Sequence, residues 1–357
     1  MNPIKILGSG PSALSAAINL AKEKFEVHVY EQHEEIGKRF HGDIQGLENW
    51  SRREDVLDTL AKMNISINFD CQPSSKIIVS NGSNTKEDIT FKRPIYYLVK
   101  RGSVDGSFDQ GLKDQASSLG VNIHFNSTIP KEEADIIATG PISQELFAAD
   151  EGLIFKTDME DMVVAIINDK AAPKGYAYLI VTKGYGCLCT CIFEDFPHLK
   201  DYLERAKEMF AKIVDLRIIE KIRDVGGVGC FSTKNIFKEG KALFVGEASG
   251  LQDMLWGFGI RNALTSGFLA ARSIIEKSDY EKEAKSFFIP RLRASLVNRF
   301  LYELFAIGNY APLINKFKNE QNLFGWMESL HNFNKIQKVI YPLALVYMRK
   351  RYPKLRI

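Results

Sequence analysis

The N-terminal segment switches between two hydrophobic periods. Residues 3–7 read as a short buried strand. Leu14, Ala17, Ile18 and Ala21 then recur at helical spacing over residues 12–24, and residues 26–30 alternate as a second strand. Residues 121–125 and 134–138 read as further strands. The pattern changes after residue 152: segments 162–167, 175–181 and 187–193, with a turn at 182–186, predict antiparallel strands, and residues 197–214 predict an amphipathic helix that covers them. Val225-Gly226-Gly227-Val228-Gly229 reads as a flexible turn. A short buried strand at 242–245 and an amphipathic helix at 260–276 follow, and dense Phe and Leu at 298–306 and 313–326 predict helices.

The composition is that of an ordinary globular chain. Its 357 residues, 45% hydrophobic and 25% charged, suffice for roughly two domains with a sizeable core. A net charge of +3 gives no electrostatic footprint for nucleic acid. The longest apolar runs fall short of a bilayer span. The five cysteines (Cys71, Cys187, Cys189, Cys191 and Cys230) are odd in number and contain no C-x2-C pair, so neither a disulfide framework nor a metal site is expected. Residues 4–21 lack the basic flank of a secretion signal, and a reduced, cytoplasmic chain is the simplest expectation.

Between the first strand and helix stands Gly8-Ser9-Gly10-Pro11-Ser12-Ala13, a G-x-G-x-x-A element, and the second strand ends at Glu31. Gly8 permits a tight turn, Gly10 lets backbone approach a pyrophosphate, and Ala13 allows helix and strand to pack closely. The helix start offers unpaired N–H groups to phosphate oxygens. Glu31 accepts hydrogen bonds from ribose hydroxyls and disfavours a 2′-phosphate, which points to the adenosine of FAD or NAD. Gly8, Gly10, Pro11, Ser12, Ala13, Glu31 and the adjacent Gln32 are the expected cofactor residues of this segment.

Residues 241–272 carry a second glycine-rich helix start, with Gly246-Glu247 closing a strand and Gly257-Phe258-Gly259-Ile260 opening the helix. Gly246, Ala248, Gly250, Asp253, Gly257, Gly259, Ile260, Ala263, Ser266, Gly267, Ala270 and Ala271 resemble the second FAD motif of the para-hydroxybenzoate hydroxylase superfamily, in the form found in the geranylgeranyl reductase family. The resemblance implies FAD as cofactor, with Glu247 at the ribityl chain and the backbone from Gly257 through Phe258 and Gly259 to Ile260 near the isoalloxazine ring. Glu247 replaces the usual Asp, and Met254 the usual Pro. The resemblance extends to Arg101 before Phe108-Asp109, which implies a cofactor contact; a solvated strand end is the other reading of Arg101. Arg39 and His41 lie in the connection that approaches the ring in the family. His41 stands where reductase-like members often carry Cys and is either a proton donor, an unperturbed imidazole titrating near about 6.5, or an exposed loop residue. Thr139 and Gly140 are implied at the cofactor too. The Asp and Arg that hydroxylases of the superfamily carry in this stretch are missing from residues 138–146, which argues against direct NADPH reduction and favours a ferredoxin or quinol over NAD(P)H as electron donor.

Tyr176 and Tyr178 share one strand face, where they either wall an apolar substrate cavity as catalytic-site residues or pack in the core. They imperfectly match the Y-x-W-x-F-P motif of the reductase family. Cys187, Cys189 and Cys191 also share a face and are read as small buried apolar residues. Nine basic residues against two acidic ones lie between Lys316 and Ile357, and the apolar run 339–348 ends at Arg349-Lys350-Arg351. That segment suits either peripheral contact with an anionic membrane or a core helix with a solvated basic tail.

The expected fold is α/β: a Rossmann-type FAD-binding domain from residues 1–140 and 236–280, an inserted antiparallel β-sheet substrate domain at 141–235, and a helical C-terminal region at 281–357. The expected activity is hydride transfer from reduced flavin to a carbon–carbon double bond of a prenyl lipid or similar hydrophobic small molecule. The alternatives are a flavin-dependent hydroxylase, halogenase or dehydrogenase of an aromatic or polyketide substrate, and a flavin electron-transfer partner without a substrate of its own.

Overall fold

The computed structural model describes residues 2–83, 85–141, 146–233, 236–305, 310–355 and 357. Of the segments read above, residues 142–145, Lys234, Asn235, Ala306 and Arg356 lie outside the described residues.

A six-stranded sheet is built around Ile4–Leu7 at its centre. Val27–Tyr30 and then Asn122–His124 lie on one side, and Ile136–Ile137, Ala242–Phe244 and Lys238–Glu239 on the other. All pairings are parallel except that of the outermost strand, Lys238–Glu239. The chain leaves the central strand to one side and returns on the other. The carboxyl ends of Ile4–Leu7 and Ile136–Ile137 therefore flank a topological switch point, where open α/β sheets bind ligands. The helix Pro11–Lys22 is buried along its whole length from Ser12 to Ala21. It lies between the sheet and the helix Ile260–Glu276 and is built from the small residues that such a position requires.

A seven-stranded sheet runs in the order Glu220–Cys230, Leu146–Lys156, Tyr185–Ile192, Tyr176–Thr182, Met162–Ile166, Lys76–Ser80, Lys86–Thr90. One face packs under the helix Leu199–Ile213 through Leu203, Ala206 and Phe210. The other face turns toward Trp50, Tyr96, Trp256, Phe258 and Tyr302. A three-stranded sheet, Gln72–Ser74, Tyr96–Gly102 and His41–Glu48, stands between these layers.

Two sequence expectations change here. Residues 76–80 and 86–90, assigned to the nucleotide-binding part, extend the large sheet, with Ile78 pairing in parallel with Val164. Residues 225–229 are not a turn but the end of an edge strand, with Gly226 and Gly227 opposite Glu151 and Asp150. The glycines serve close approach: a Cβ on Gly226 would lie 2.9 Å from the Asp150 carbonyl oxygen.

Four helices, Tyr280–Phe305, Ala311–Asn319, Leu323–Ser329 and Lys335–Arg351, form the C-terminal region. The first carries a buried ion pair, Arg299 Nε to Glu303 Oε1 at 2.8 Å, with both side chains at most 2% exposed, and the chain around the last helix docks on it. The hydroxyls of Tyr347 and Tyr352 also donate to Glu303, and the Arg299 guanidinium lies 3.7 Å over the Phe193 ring of the large sheet. Among the described residues no helix is long and apolar enough to cross a membrane.

Candidate functional site

The G-x-G-x-x-A element occupies the switch point. Gly8 has φ +96°, and a Cβ there would collide with the carbonyl oxygen of Ala138, so two strand ends meet only because this residue is glycine. Gly10 caps the helix Pro11–Lys22 without a side-chain bond, and the first helical bond closes from the Leu14 N–H to the Gly10 carbonyl. The N–H groups of Ser12 and Ala13 thus precede the ladder. A Cβ on Gly10 would meet nothing within 4 Å, and the same holds for Gly140 (φ +78°) and Gly257 (φ +78°). These open glycine faces, beside an uncapped helix start, fit a dinucleotide pyrophosphate. Thr139 is exposed beside Gly140.

Glu31 is 9% exposed. It accepts from the Ser9 N–H (3.1 Å), the Ser9 hydroxyl (2.5 Å) and the His33 N–H (3.0 Å), which ties the second strand to the glycine loop. Ser9 was not singled out in the sequence, because its role depends on this contact. Gln32 is exposed and meets only the His33 ring at 3.2 Å.

The second glycine segment converges on the first. The Ser15 hydroxyl donates to the Leu264 carbonyl at 2.8 Å, and a Cβ on Gly267 would collide with the Ser12 carbonyl oxygen. Gly246 has φ +62°, its N–H donates to the Ser266 hydroxyl at 2.8 Å, and a Cβ on it would sit 2.6 Å from the Ser12 hydroxyl oxygen. The first turn of one helix therefore packs on the second and third turns of the other, which brings both glycine-opened N-termini to one place. Glu247 is paired with Arg39 at 3.0 Å, linking two expected cofactor residues that stand 208 positions apart.

The loop before Gly259 is clasped from several directions. Asp253 accepts from the Trp256 N–H (2.6 Å) and the Ser295 hydroxyl (2.7 Å), and its own N–H donates to the Phe258 carbonyl (2.8 Å). Gln252 donates to the Gly257 carbonyl at 2.9 Å. Gly259 caps the helix that starts at the buried Ile260, again without a side-chain bond. Tyr176, expected as a catalytic side chain, donates its hydroxyl to the Trp256 carbonyl at 2.7 Å and sets its ring edge-on to Trp256 at 5.5 Å, so it positions this loop. Tyr178 lies beside it with ring centroids 6.2 Å apart, and burial pushes both phenols well up. The Cys187 and Cys189 sulfurs stand 3.8 Å apart, closer than the roughly 7 Å of the strand repeat, and no metal-binding cluster of three or more His, Cys, Asp or Glu occurs among the described residues.

Arg101 is buried rather than a solvated strand end. Its guanidinium grips Asp109 through Nε (2.8 Å) and Nη2 (3.0 Å), donates to Gln45 at 2.9 Å and lies 4.2 Å over the Phe40 ring. His41 is exposed, and its backbone N–H donates to Asp43 at 2.9 Å. Two acids escaped the sequence reading because they are acidic residues within strands. Burial pushes Asp150 up to about 6, with the charge of Asp43 adding to the effect, and burial also raises Asp43. A half-enclosed cavity opens beside Phe258, lined by Glu48, Trp50, Arg52, Asp253, Arg291 and His331 among others.

This assembly has the fold of flavin-dependent oxidoreductases. The model of the NAD(P)-binding Rossmann-like domain matches residues 6–49. None of the curated proteins matches the sequence. Among solved structures, a geranylgeranyl bacteriochlorophyll reductase-like protein from Thermoplasma acidophilum superposes with TM-score 0.72 at 18% identity, covering 96% of this chain and 98% of the other. The flavin-dependent brominase Bmp2 gives 0.68 at 14% identity, over 97% and 99%. An aklavinone-11 hydroxylase in complex with FAD and aklavinone gives 0.56 at 16% identity, over 83% and 68%.

Proposed function

We propose that this chain is an FAD-dependent oxidoreductase that reduces carbon–carbon double bonds of a prenyl or similarly apolar lipid. The observation that carries the reading is the convergence of the two uncapped helix starts, with open glycine faces at Gly10, Gly140 and Gly257, next to an aromatic-walled sheet face. Gly8 to Ala13 and Glu31 would hold the adenosine diphosphate portion, Glu247 and Arg39 the ribityl region, and the backbone from Gly257 to Ile260 the ring. Reduced FAD, once bound there, supplies a hydride to one carbon of the alkene.

The chain's own residues do the rest. Tyr176, Gln252 and Asp253 hold the 252–259 loop in one shape, so the alkene meets a preorganised surface. Trp50, Tyr96, Tyr178, Trp256 and Phe258 exclude water from it. The second alkene carbon needs a proton. Asp150, which burial holds up at about 6, would supply it, with the exposed His41, whose backbone N–H donates to Asp43, as the other candidate. A ferredoxin, a quinol or NAD(P)H would supply the electrons.

The test is reconstitution with FAD followed by anaerobic photoreduction in the presence of a polyprenyl lipid. Saturation of the lipid in step with flavin reoxidation is the expected result. Colourless protein, or reduced protein that leaves every prenyl lipid unchanged, overturns the reading. Similarity to a brominase and a hydroxylase supports a second reading, oxygen-dependent modification of an aromatic substrate. Oxygen uptake coupled to NAD(P)H consumption and product formation would establish that one instead.

A further inference from the structure

The cavity beside Phe258 carries charges that flavin binding does not use. Five segments supply it: residues 48–52 at the end of the strand His41–Glu48, the 252–258 loop, the first turn of the helix Ile260–Glu276, residues 291–295 of the helix Tyr280–Phe305, and His331. Arg52 and Arg291 line the cavity, and both stack on the Phe287 ring, at 4.6 and 4.2 Å. Arg261 stands behind them at 1% exposure. Its Nη2 donates to the Glu54 carbonyl (3.0 Å) and the Thr59 hydroxyl (2.7 Å), but its Nε and Nη1 meet no acceptor among the described residues. Arg291 donates from Nη1 to the Phe287 carbonyl at 2.6 Å, and its Nε meets none. Arg52 reaches only the Thr265 hydroxyl, at 3.4 Å.

The acids nearest these three cations have other partners or none: Glu54 is bridged by Lys62, and Asp55 accepts from the Leu57 N–H, the Asn49 amide and the Tyr97 hydroxyl. Asp253 is engaged by the Trp256 N–H and the Ser295 hydroxyl. Glu48, 4% exposed, lines the cavity with an Oε2 that has no partner. Buried guanidinium donors without acceptors are costly, and the same donors in fork geometry are well suited to an oxyanion. Trp50 and Phe258 line this cavity and also belong to the aromatic cluster under the large sheet, so the charged site adjoins the apolar one.

We propose that Arg52 and Arg291, backed by Arg261, form a binding site for an oxyanion, a carboxylate or a phosphate, borne at one end of the substrate while its apolar remainder lies along Trp50 and Phe258. Assigning the anion to the substrate rests on the flavin-enzyme reading; the anion site itself does not.

Calorimetric titration of the full chain, with and without added FAD, by inorganic phosphate and separately by acetate, at ionic strength held constant with chloride, tests the site. Saturable one-site binding of at least one anion is expected, weakened about tenfold or more in Arg52→Gln and in Arg291→Gln and unchanged in Lys200→Gln, a substitution on the far helix. Tighter phosphate binding marks a phosphate-bearing ligand; binding of acetate alone marks a carboxylate. Absence of saturable binding of either anion, or arginine variants that bind as the parent does, overturns the proposal. Arg52→Gln removes one long hydrogen bond, to Thr265, with the Phe287 stacking and the charge facing Glu48 and Glu54, so it carries the test should Arg291→Gln fail to fold. Anion binding is read without turnover, so its failure in a protein that still reduces prenyl lipids refutes the oxyanion site and leaves the flavin reading standing.

Discussion

Glu48 shows how one residue ties the site to stability. Burial pushes its carboxyl up to about 7 from an ordinary 4.5, against the opposing pull of Arg261 and Arg52, while Asp253 adds to the rise. The unfolded chain gives up this proton near 4.5 and the folded chain near 7, so the contribution is fully present below the lower value and is lost as pH rises toward the upper one. Over that interval the loss is at most about 3 kcal/mol. Denaturant titrations at about pH 5 and about pH 8 should show the parent losing more stability than Glu48→Gln; equal losses would remove Glu48 from the account. Gly10 shows the reverse, a residue proposed to serve the cofactor and neutral to the fold. Its φ of −69° suits any residue, and a Cβ there touches nothing. Gly10→Ala should keep its melting temperature without FAD yet bind FAD about tenfold or more weakly, because the methyl group occupies the space through which the pyrophosphate approaches. The glycine turn between the first strand and helix, and the strand that runs up to Glu31, were legible in the sequence because each is local. The bidentate grip of Arg101 on Asp109, and the guanidinium cluster around Glu48, were not: the former depends on an orientation that burial imposes, and the latter on side chains from three distant segments.

Among the elements, the helices Pro11–Lys22 and Ile260–Glu276 have the least room for change. Their crossing brings the Ser12 carbonyl against Gly267. Gly267→Ala would force the two backbones apart, and a loss of about 3 kcal/mol or more in denaturant titration is expected, with weakened FAD retention, although alanine has the better helix propensity. A variant as stable as the parent would show the crossing to be looser than described. The boundaries of Ile260–Glu276 were readable from the glycines before it and its apolar spacing, and the observed helix has those limits. The pairing of Lys76–Ser80 with Met162–Ile166 was not readable. Residues 86–90 are polar at every position but Ile89, and nothing local in 76–90 tells a strand which of the three described sheets it will join. The run 225–229 misled for a related reason, since glycine looks the same in a turn and in a strand that lies close to its neighbour.

At the scale of the whole molecule, the C-terminal helix Lys335–Arg351 turns Gln337, Ala344 and Met348 inward and leaves Ile336, Val339, Leu343 and Val346 between 64% and 81% exposed. Those four side chains form one stripe at helical spacing, on a helix that holds Lys335, Lys338, Arg349, Lys350 and Arg351 and no acid. A helix of this kind suits the surface of an anionic bilayer. Sedimentation with vesicles of phosphatidylglycerol should carry the protein down, vesicles of phosphatidylcholine much less so, and Val339→Ser combined with Val346→Ser should abolish the difference. Equal sedimentation with both lipids or with neither would refute the membrane reading, and a concentration-dependent dimer lost in the same variant would assign the stripe to a second copy of the chain. The close crossing at Ser12 and Gly267 has a consequence for biosynthesis. About 250 residues separate Ser12 from Gly267, so on the ribosome the glycine turn emerges long before the helix that packs on it. A nucleotide held by both helix starts would wait for that later synthesis, and chains cut short between the two would leave the first helix without its cover.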